Sequence, residues 1–255
     1  MRLSRFFIDC ELQPGQSLLL PPPLVNYIAN VLRLKQGDSI HLFNGRTYNG
    51  IYGEFSAQLL EAGKRKVLVQ LEQFLARDVE SPLKVHLLQG ISRSERMDFT
   101  IQKSVELGCS QITPVFTERS SSRKLKAIQL EKKQQHWQSV ADSACEQSGR
   151  TRRVLIQPAI KPYETEQFSA DLQLLLVPDA GQSLAELHRQ TKQNAQDIKS
   201  VNIFIGPEGG LSPGEIDYAC SQGYLGVHLG PRILRTETAG LTALSVVQLL
   251  WGDLS

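Results

Sequence analysis

The 255-residue chain predicts an α/β protein in which a small β-rich domain precedes a larger domain built on a parallel sheet. Two observations carry this reading. Several short strand-like runs with hairpin chemistry crowd into residues 1–74, which suits a small barrel. From Leu83 onward strand-like and helix-like patterns alternate, as they do where helices cover both faces of a parallel sheet. Between them, Ala76 to Pro82 is polar and ends in proline, so domains are expected at 1–74 and 78–255.

Taken in order, Arg5-Phe6-Phe7-Ile8 reads as a strand, and a helix is expected over Pro23–Leu32 with proline near its start. Ser39-Ile40-His41-Leu42-Phe43 alternates with the period of a half-buried strand, and Asn44-Gly45 after it is a hairpin signal. Tyr48–Leu59 and Lys66–Leu71 supply further strands. In the second domain, strands are expected at Val85–Leu88, Ile112–Phe116, Val154–Ile156, Leu172–Val177, Val201–Ile205 and Val227–Leu229. Ser94 can cap a helix that runs to Leu107, with Gly108 just past its end. A long helix spans about Leu125–Gln147, with Trp137, Val140, Ala141, Ala144 and Cys145 on one face. Shorter helices follow at Leu184–Thr191, Ser212–Ser221 and Thr236–Trp251. Ser212, Pro213 and Glu215 stand in capping-box register, and Thr236 suits an N-cap.

Composition narrows the function classes. Hydrophobic residues make up 41% and charged residues 21%, an ordinary globular balance. Residues 1–77 hold nine basic and six acidic side chains, a local balance of +3, which leaves −1 for the rest of a chain of net charge +2. That mild basic bias fits a phosphate-contacting face. Cys10, Cys109, Cys145 and Cys220 form no CxxC pair and have no histidine at metal-ligand spacing, so buried reduced thiols and no metal are expected. The five histidines stand alone, without a Ser/His/Asp arrangement. No apolar run reaches membrane-spanning length and the first residues carry no signal-peptide core, so a cytoplasmic protein that does not bind membranes is expected.

Two loops carry the chemistry. Gly206-Pro207-Glu208-Gly209-Gly210 and Gly230-Pro231-Arg232-Ile233-Leu234-Arg235-Thr236-Glu237-Thr238-Ala239 each follow an apolar strand and lead into a helix. The first has neither Walker A nor dinucleotide-fingerprint spacing, but its glycines permit a close approach to a ligand. In an α/β sheet that end of the strands is where ligands bind. Arg235 beside such a pocket suits a carboxylate, a phosphate or a base edge. The segments Ser92–Asp98 and Thr117–Arg123 occupy the same edge, which would gather Arg93, Arg96, Arg119, Arg123 and Arg235 on one side. Glu146-Gln147-Ser148-Gly149-Arg150 ends the long helix and can reach the same region.

At these loops the chain resembles the bacterial small-subunit ribosomal RNA uridine-N3-methyltransferases, the RsmE family of the SPOUT class. The resemblance spans nearly the whole chain. It includes Arg5-Phe6-Phe7, Val31-Leu32-Arg33, Leu42-Phe43-Asn44-Gly45, Arg96-Met97-Asp98 through Gly108, Thr117-Glu118-Arg119, Ala144–Arg150 and both C-terminal loops; Tyr27 stands where the family often has histidine. It implies a PUA-like barrel that holds RNA and a SPOUT domain with a parallel sheet, whose C-terminal segment is threaded into a trefoil knot. It implies a homodimer that methylates N3 of a uridine in 16S ribosomal RNA, free or in the assembled subunit. S-adenosylmethionine would lie against Val177, Gly206, Pro207, Glu208, Gly209, Leu229, Gly230, Ile233, Leu234, Thr236 and Ala239. Arg235 would stabilise charge on the uracil oxygens, and Glu118, Glu208 or Glu237 would take the proton. Arg5, Arg33, Arg93, Arg96 and Arg123 would hold RNA. A SPOUT enzyme acting on a ribose 2′-hydroxyl or another base, or a non-catalytic RNA-binding protein, are the alternatives.

Overall fold

The computed structural model describes residues 4–120 and 127–254, which divide into two units. Unit 1 comprises residues up to Glu80 together with Cys145–Arg153, and unit 2 comprises Ser81–Ala144 and Val154 onward.

Unit 1 is a six-stranded sheet. Its strands are β1 (Arg5–Phe7), β2 (Ser17–Leu19), β3 (Ser39–Phe43), β4 (Thr47–Tyr48), β5 (Ile51–Ala62) and β6 (Val67–Ala76). They pair in the order β1-β3-β5-β6-β2, with β4 on β5. The long β5–β6 ladder breaks register between Phe55 and Ala57 and again between Leu59 and Glu61, the kind of irregularity that bends a sheet. Alternation in β3 buries Ile40 and Leu42 against Phe6, Phe55, Val69 and Leu71. β2 was not foreseen, because its three residues adjoin Pro21-Pro22-Pro23 and show no alternation of their own. The helix expected at Pro23–Leu32 is α1 (Pro22–Asn26) followed by a π-helical stretch, Tyr27–Leu32, which ends at Arg33 with φ +55°. Arg5 lies inside this unit. Its Nε donates to Glu54 at 2.5 Å, and its terminal nitrogens donate to the carbonyls of Cys145, Glu146 and Arg150. The tail of the long helix is therefore bonded into unit 1.

Unit 2 is an all-parallel sheet: β7 (Lys84–Gly90), β8 (Gln111–Val115), β9 (Leu155–Ile156), β10 (Leu172–Leu176), β11 (Ser200–Ile205) and β12 (Leu225–Val227). The order is β12-β10-β11-β7-β8-β9. Central β7 and β11 are buried almost throughout, as a strand covered on both faces must be. The helices are α2 (Ser94–Glu106), α3 (Ala127–Ser148), α4 (Leu184–Gln193), α5 (Pro213–Ser221) and α6 (Thr236–Trp251). Gly108, with φ +83°, ends α2 as its position implies. The Ser212–Glu215 capping box forms.

Three local expectations are corrected. β12 lies two residues earlier than Val227–Leu229, because His228 leaves the sheet to bridge Ser183. Ser94 and Thr236 are the first helical residues, not caps; extended Arg93 and Arg235 precede them without side-chain caps. Of the four thiols, Cys109 and Cys145 are buried, but Cys220 is exposed and Cys10 partly so.

Candidate active site

The carboxyl ends of β10, β11 and β12 open onto one cavity of about 560 Å3, within the range of small-molecule sites. Val177, Pro178 and Asp179 line it after β10, residues 206–211 after β11, and residues 228–230 and 232–235 after β12; Thr236 and Ala239 of α6 add to the wall. The two loops singled out in the sequence therefore share a pocket. So do Val177 and Ala239, which stand 62 residues apart in the chain. The walls combine apolar side chains with exposed backbone. Gly230 has φ +103° and open space where a Cβ would stand, so the backbone is accessible there.

The Gly206–Leu211 loop is held from three directions. Beneath it, Gly90 at the end of β7 comes so near that a Cβ would lie 2.5 Å from the Pro207 nitrogen. From α6, the Thr236 hydroxyl donates to the Gly206 carbonyl at 2.7 Å and accepts from Gln89 Nε2 at 3.0 Å. Gln89 is 0% exposed, and its Oε1 has no hydrogen-bond partner among the described residues. From the loop after β8, Arg119 Nη1 donates to the carbonyls of Gly209 and Leu211. Glu215, in the first turn of α5, accepts the Glu118 N–H at 2.6 Å. Gln89 and Arg119 did not stand out in the sequence as supports of this loop. Gln89 ends an apolar strand, where an amide could have been read as a signal; for Arg119 the sequence offers only its position at the sheet edge.

The arginines separate into different roles. Arg96 bridges two acids, 3.4 Å from Glu208 and 3.8 Å from Glu237. Like Arg119, it lines the cavity. Arg235 also lines it and is exposed, as are Arg33 and Arg93. Arg123 lies outside the described residues. Arg5 is corrected as an RNA contact: it is 8% exposed and its donors are taken up by Glu54 and backbone carbonyls. The segment Glu146–Arg150 is likewise bonded into unit 1, where Glu146 accepts the Phe7 N–H and Arg150 pairs with Glu80.

The three candidate carboxylates also differ. Glu118 is exposed and stands outside the cavity wall. Glu237 faces Arg96, and its Oε2 is buried without a hydrogen bond. Glu208 lines the cavity; its Oε1 accepts the Arg93 N–H at 3.1 Å and faces Arg96, while its Oε2 accepts no hydrogen bond among the described residues. Among the described residues, no group of His, Cys, Asp or Glu could hold a metal ion, and no helix is long and apolar enough to cross a membrane.

The cavity stands at the carboxyl edge of a parallel sheet, where α/β folds bind ligands, and Arg96, Arg119, Arg232 and Arg235 line it; comparison with known proteins defines the class. Residues 79–248 match the RNA methyltransferase domain family, and residues 20–72 match the RNA methyltransferase PUA domain. The chain is 36% identical over its full length to ribosomal RNA small subunit methyltransferase E of Buchnera aphidicola from Schizaphis graminum, covering 99% of that protein. It is 28% identical to the Bacillus subtilis protein of the same name, over 98% of this chain and all of that one. A Legionella pneumophila methyltransferase solved with bound SAM superposes with a TM-score of 0.90 at 38% identity, covering both chains fully. The Neisseria gonorrhoeae ribosomal RNA small subunit methyltransferase E, bound to S-adenosyl methionine, gives 0.86 at 34%, again over both full chains. This chain belongs to the ribosomal RNA small subunit methyltransferase E family.

Proposed function

We propose that this protein methylates N3 of a specific uridine in 16S ribosomal RNA, with S-adenosylmethionine as the methyl donor. The observation that carries the reading is the single cavity shared by the loops after β11 and β12, with Arg235 at its wall. Relatives of more than 30% identity hold the cofactor, and the residues here fit it. Backbone groups of Gly206–Gly209 and Leu229–Gly230 can read adenine, and apolar Val177, Leu234 and Ala239 can flank it.

The bound cofactor supplies an electrophilic methyl group. The chain's residues do the rest. The N3 proton is weakly acidic and must leave before or as the new bond forms; its loss puts negative charge on N3 and the uracil oxygens, which bond formation to the methyl group then discharges. Arg235 is exposed at the cavity and has no acidic partner among the described residues, which supports a role in stabilising that charge. Glu208 is our choice of base: it alone of the three carboxylates lines the cavity, and its bonded oxygen is Oε1, which leaves Oε2 for a proton. Arg96 and the Arg93 N–H hold its other oxygen and so orient it. Positioning supplies much of the remaining rate.

The same reading includes a trefoil knot formed by the C-terminal segment, a homodimer, and cytoplasmic action on RNA or the small subunit. Arg33 and Arg93 are proposed as RNA contacts, whereas Arg96 is better explained as an orienting residue. The test is methyl transfer from labelled cofactor to small subunits lacking the modification, followed by nucleoside mapping. N3-methyluridine is expected; a ribose-methylated nucleoside or no product overturns the assignment. Arg235→Ala should lower kcat about a hundredfold or more, and an unchanged rate would remove Arg235 from the chemistry.

A further inference from the structure

Unit 1 lays three guanidinium groups over aromatic rings: Arg5 at 4.9 Å from the Phe43 ring centre, Arg152 at 4.0 Å from Tyr52, and Arg153 at 4.4 Å from Phe7. Such pairs arise about once per 70–80 residues, so three in one unit is a concentration. Arg5 is buried and serves the fold. The other two are consecutive, half-buried, and rest on half-buried rings. Gly45 abuts Arg153. A Cβ at Gly45 would lie 3.1 Å from Arg153 Cβ, and Gly45 has φ +72°. Arg46, the next residue, is exposed and pairs with Asp9 at 2.9 Å. Arg152 is tethered to Asp78 through one terminal nitrogen.

We propose that Arg152 and Arg153, backed by Tyr52 and Phe7, form a stacking platform for unpaired nucleotides of the RNA substrate. A guanidinium held within 4.0–4.4 Å of a ring centre is restrained, so less side-chain freedom remains to be lost when a base stacks on it. RNA-binding proteins read single strands by such stacking on aromatic rings and arginine planes. The positive charge beside the base also attracts the adjoining phosphate. Neither residue lies in the barrel's own sequence; the tail after α3 brings both into unit 1. The inference rests on the proposed action on ribosomal RNA.

The test uses the full-length protein with a short uridine-containing single-stranded RNA and a blunt RNA duplex, read by fluorescence anisotropy. Arg152→Lys/Arg153→Lys keeps both charges and removes both planes. Binding of the single strand should weaken about tenfold or more, with binding of the duplex, melting temperature and cofactor affinity unchanged. Tyr52→Leu, which keeps an apolar support but removes the ring, should weaken it in the same direction and serves if the double variant does not fold. Wild-type affinity in the lysine variant would overturn the platform, since charge alone would then suffice. Equal losses for strand and duplex would overturn it too. Failure of the wild-type protein to methylate ribosomal RNA would instead remove the reading beneath it.

Discussion

Gln89 and Thr236, 147 residues apart, meet in the interior of unit 2: the Gln89 amide donates to the Thr236 hydroxyl at 3.0 Å, and that hydroxyl donates to the Gly206 carbonyl at 2.7 Å. The strand end, the start of α6 and the first residue of the Gly206–Leu211 loop are thus joined by one relay. Thr236→Val keeps the shape but takes the donor from the buried Gly206 carbonyl and one of two acceptors from the Gln89 amide, which keeps the Gly90 carbonyl at 3.0 Å. It should cost about 1–3 kcal/mol of stability, measured by denaturant unfolding, and should weaken S-adenosylmethionine binding by calorimetry. Thr236→Ser should restore both.

Arg119 holds the other end of the same loop through the Gly209 and Leu211 carbonyls. In Arg119→Ala the loop should lose its outer support. KM for the cofactor should rise several-fold, with kcat and the KM for RNA changed little. A rise in the RNA KM alone would show that Arg119 contacts phosphate instead.

The carboxylate assignment separates two isosteric variants. Glu208→Gln keeps an acceptor for the Arg93 N–H but cannot take a proton, so kcat should fall about a hundredfold. Glu237→Gln should leave kcat within a few-fold of wild type. The reverse pattern in single-turnover methyl transfer would place the base at Glu237.

Burial and the lack of a compensating charge hold the His86 imidazole down to about 4, against an ordinary value of 6.5. The folded protein keeps it neutral, with Nε2 2.7 Å from Thr113 Oγ1 and its ring edge-on to Phe168. Unfolded chains take up a proton below 6.5. The stability associated with neutral His86 is therefore complete above that pH and is lost as pH falls toward 4, by on the order of 2–3 kcal/mol. His86→Gln should flatten this part of the stability profile; an unchanged slope between pH 6.5 and 4 would assign it to other groups.

Arg5→Met would leave Glu54, 4% exposed, with only His41 Nδ1 at 2.8 Å. A buried carboxylate that loses its cation costs about 3–5 kcal/mol, so thermal unfolding should shift clearly downward. Adding Glu54→Gln should recover part of the loss. A neutral effect of Arg5→Met would contradict the structural role given to this pair.

Much of this protein is legible in the local physics of its sequence. Period-2 alternation at Ser39–Phe43, the Ser212–Glu215 capping box and the helix end at Gly108 depend on neighbours a few residues away, and each is present; the hairpin signal at Asn44-Gly45 instead joins two strands that do not pair with each other, and the hairpin turn falls at Asn49-Gly50, between β4 and β5. The Gly/Pro loops after β11 and β12 declared themselves because glycine and proline punctuate chains in the same way wherever they stand. Charge was less informative. An arginine looks the same in a sequence whether it faces solvent or lies buried, and only long-range packing turned Arg5 into a core residue, Arg96 into a bridge between Glu208 and Glu237, and Arg119 into a clamp on a loop 90 residues away. The relay through Gln89 was hidden for the same reason, since its hydrogen bonds join partners that chain order keeps far apart. Sequence determined most strands and helices, because those choices are settled largely by local sterics and polarity; tertiary structure decided the short pairings β2 and β12 and which polar groups meet, because these depend on where the sheet order brings distant segments together.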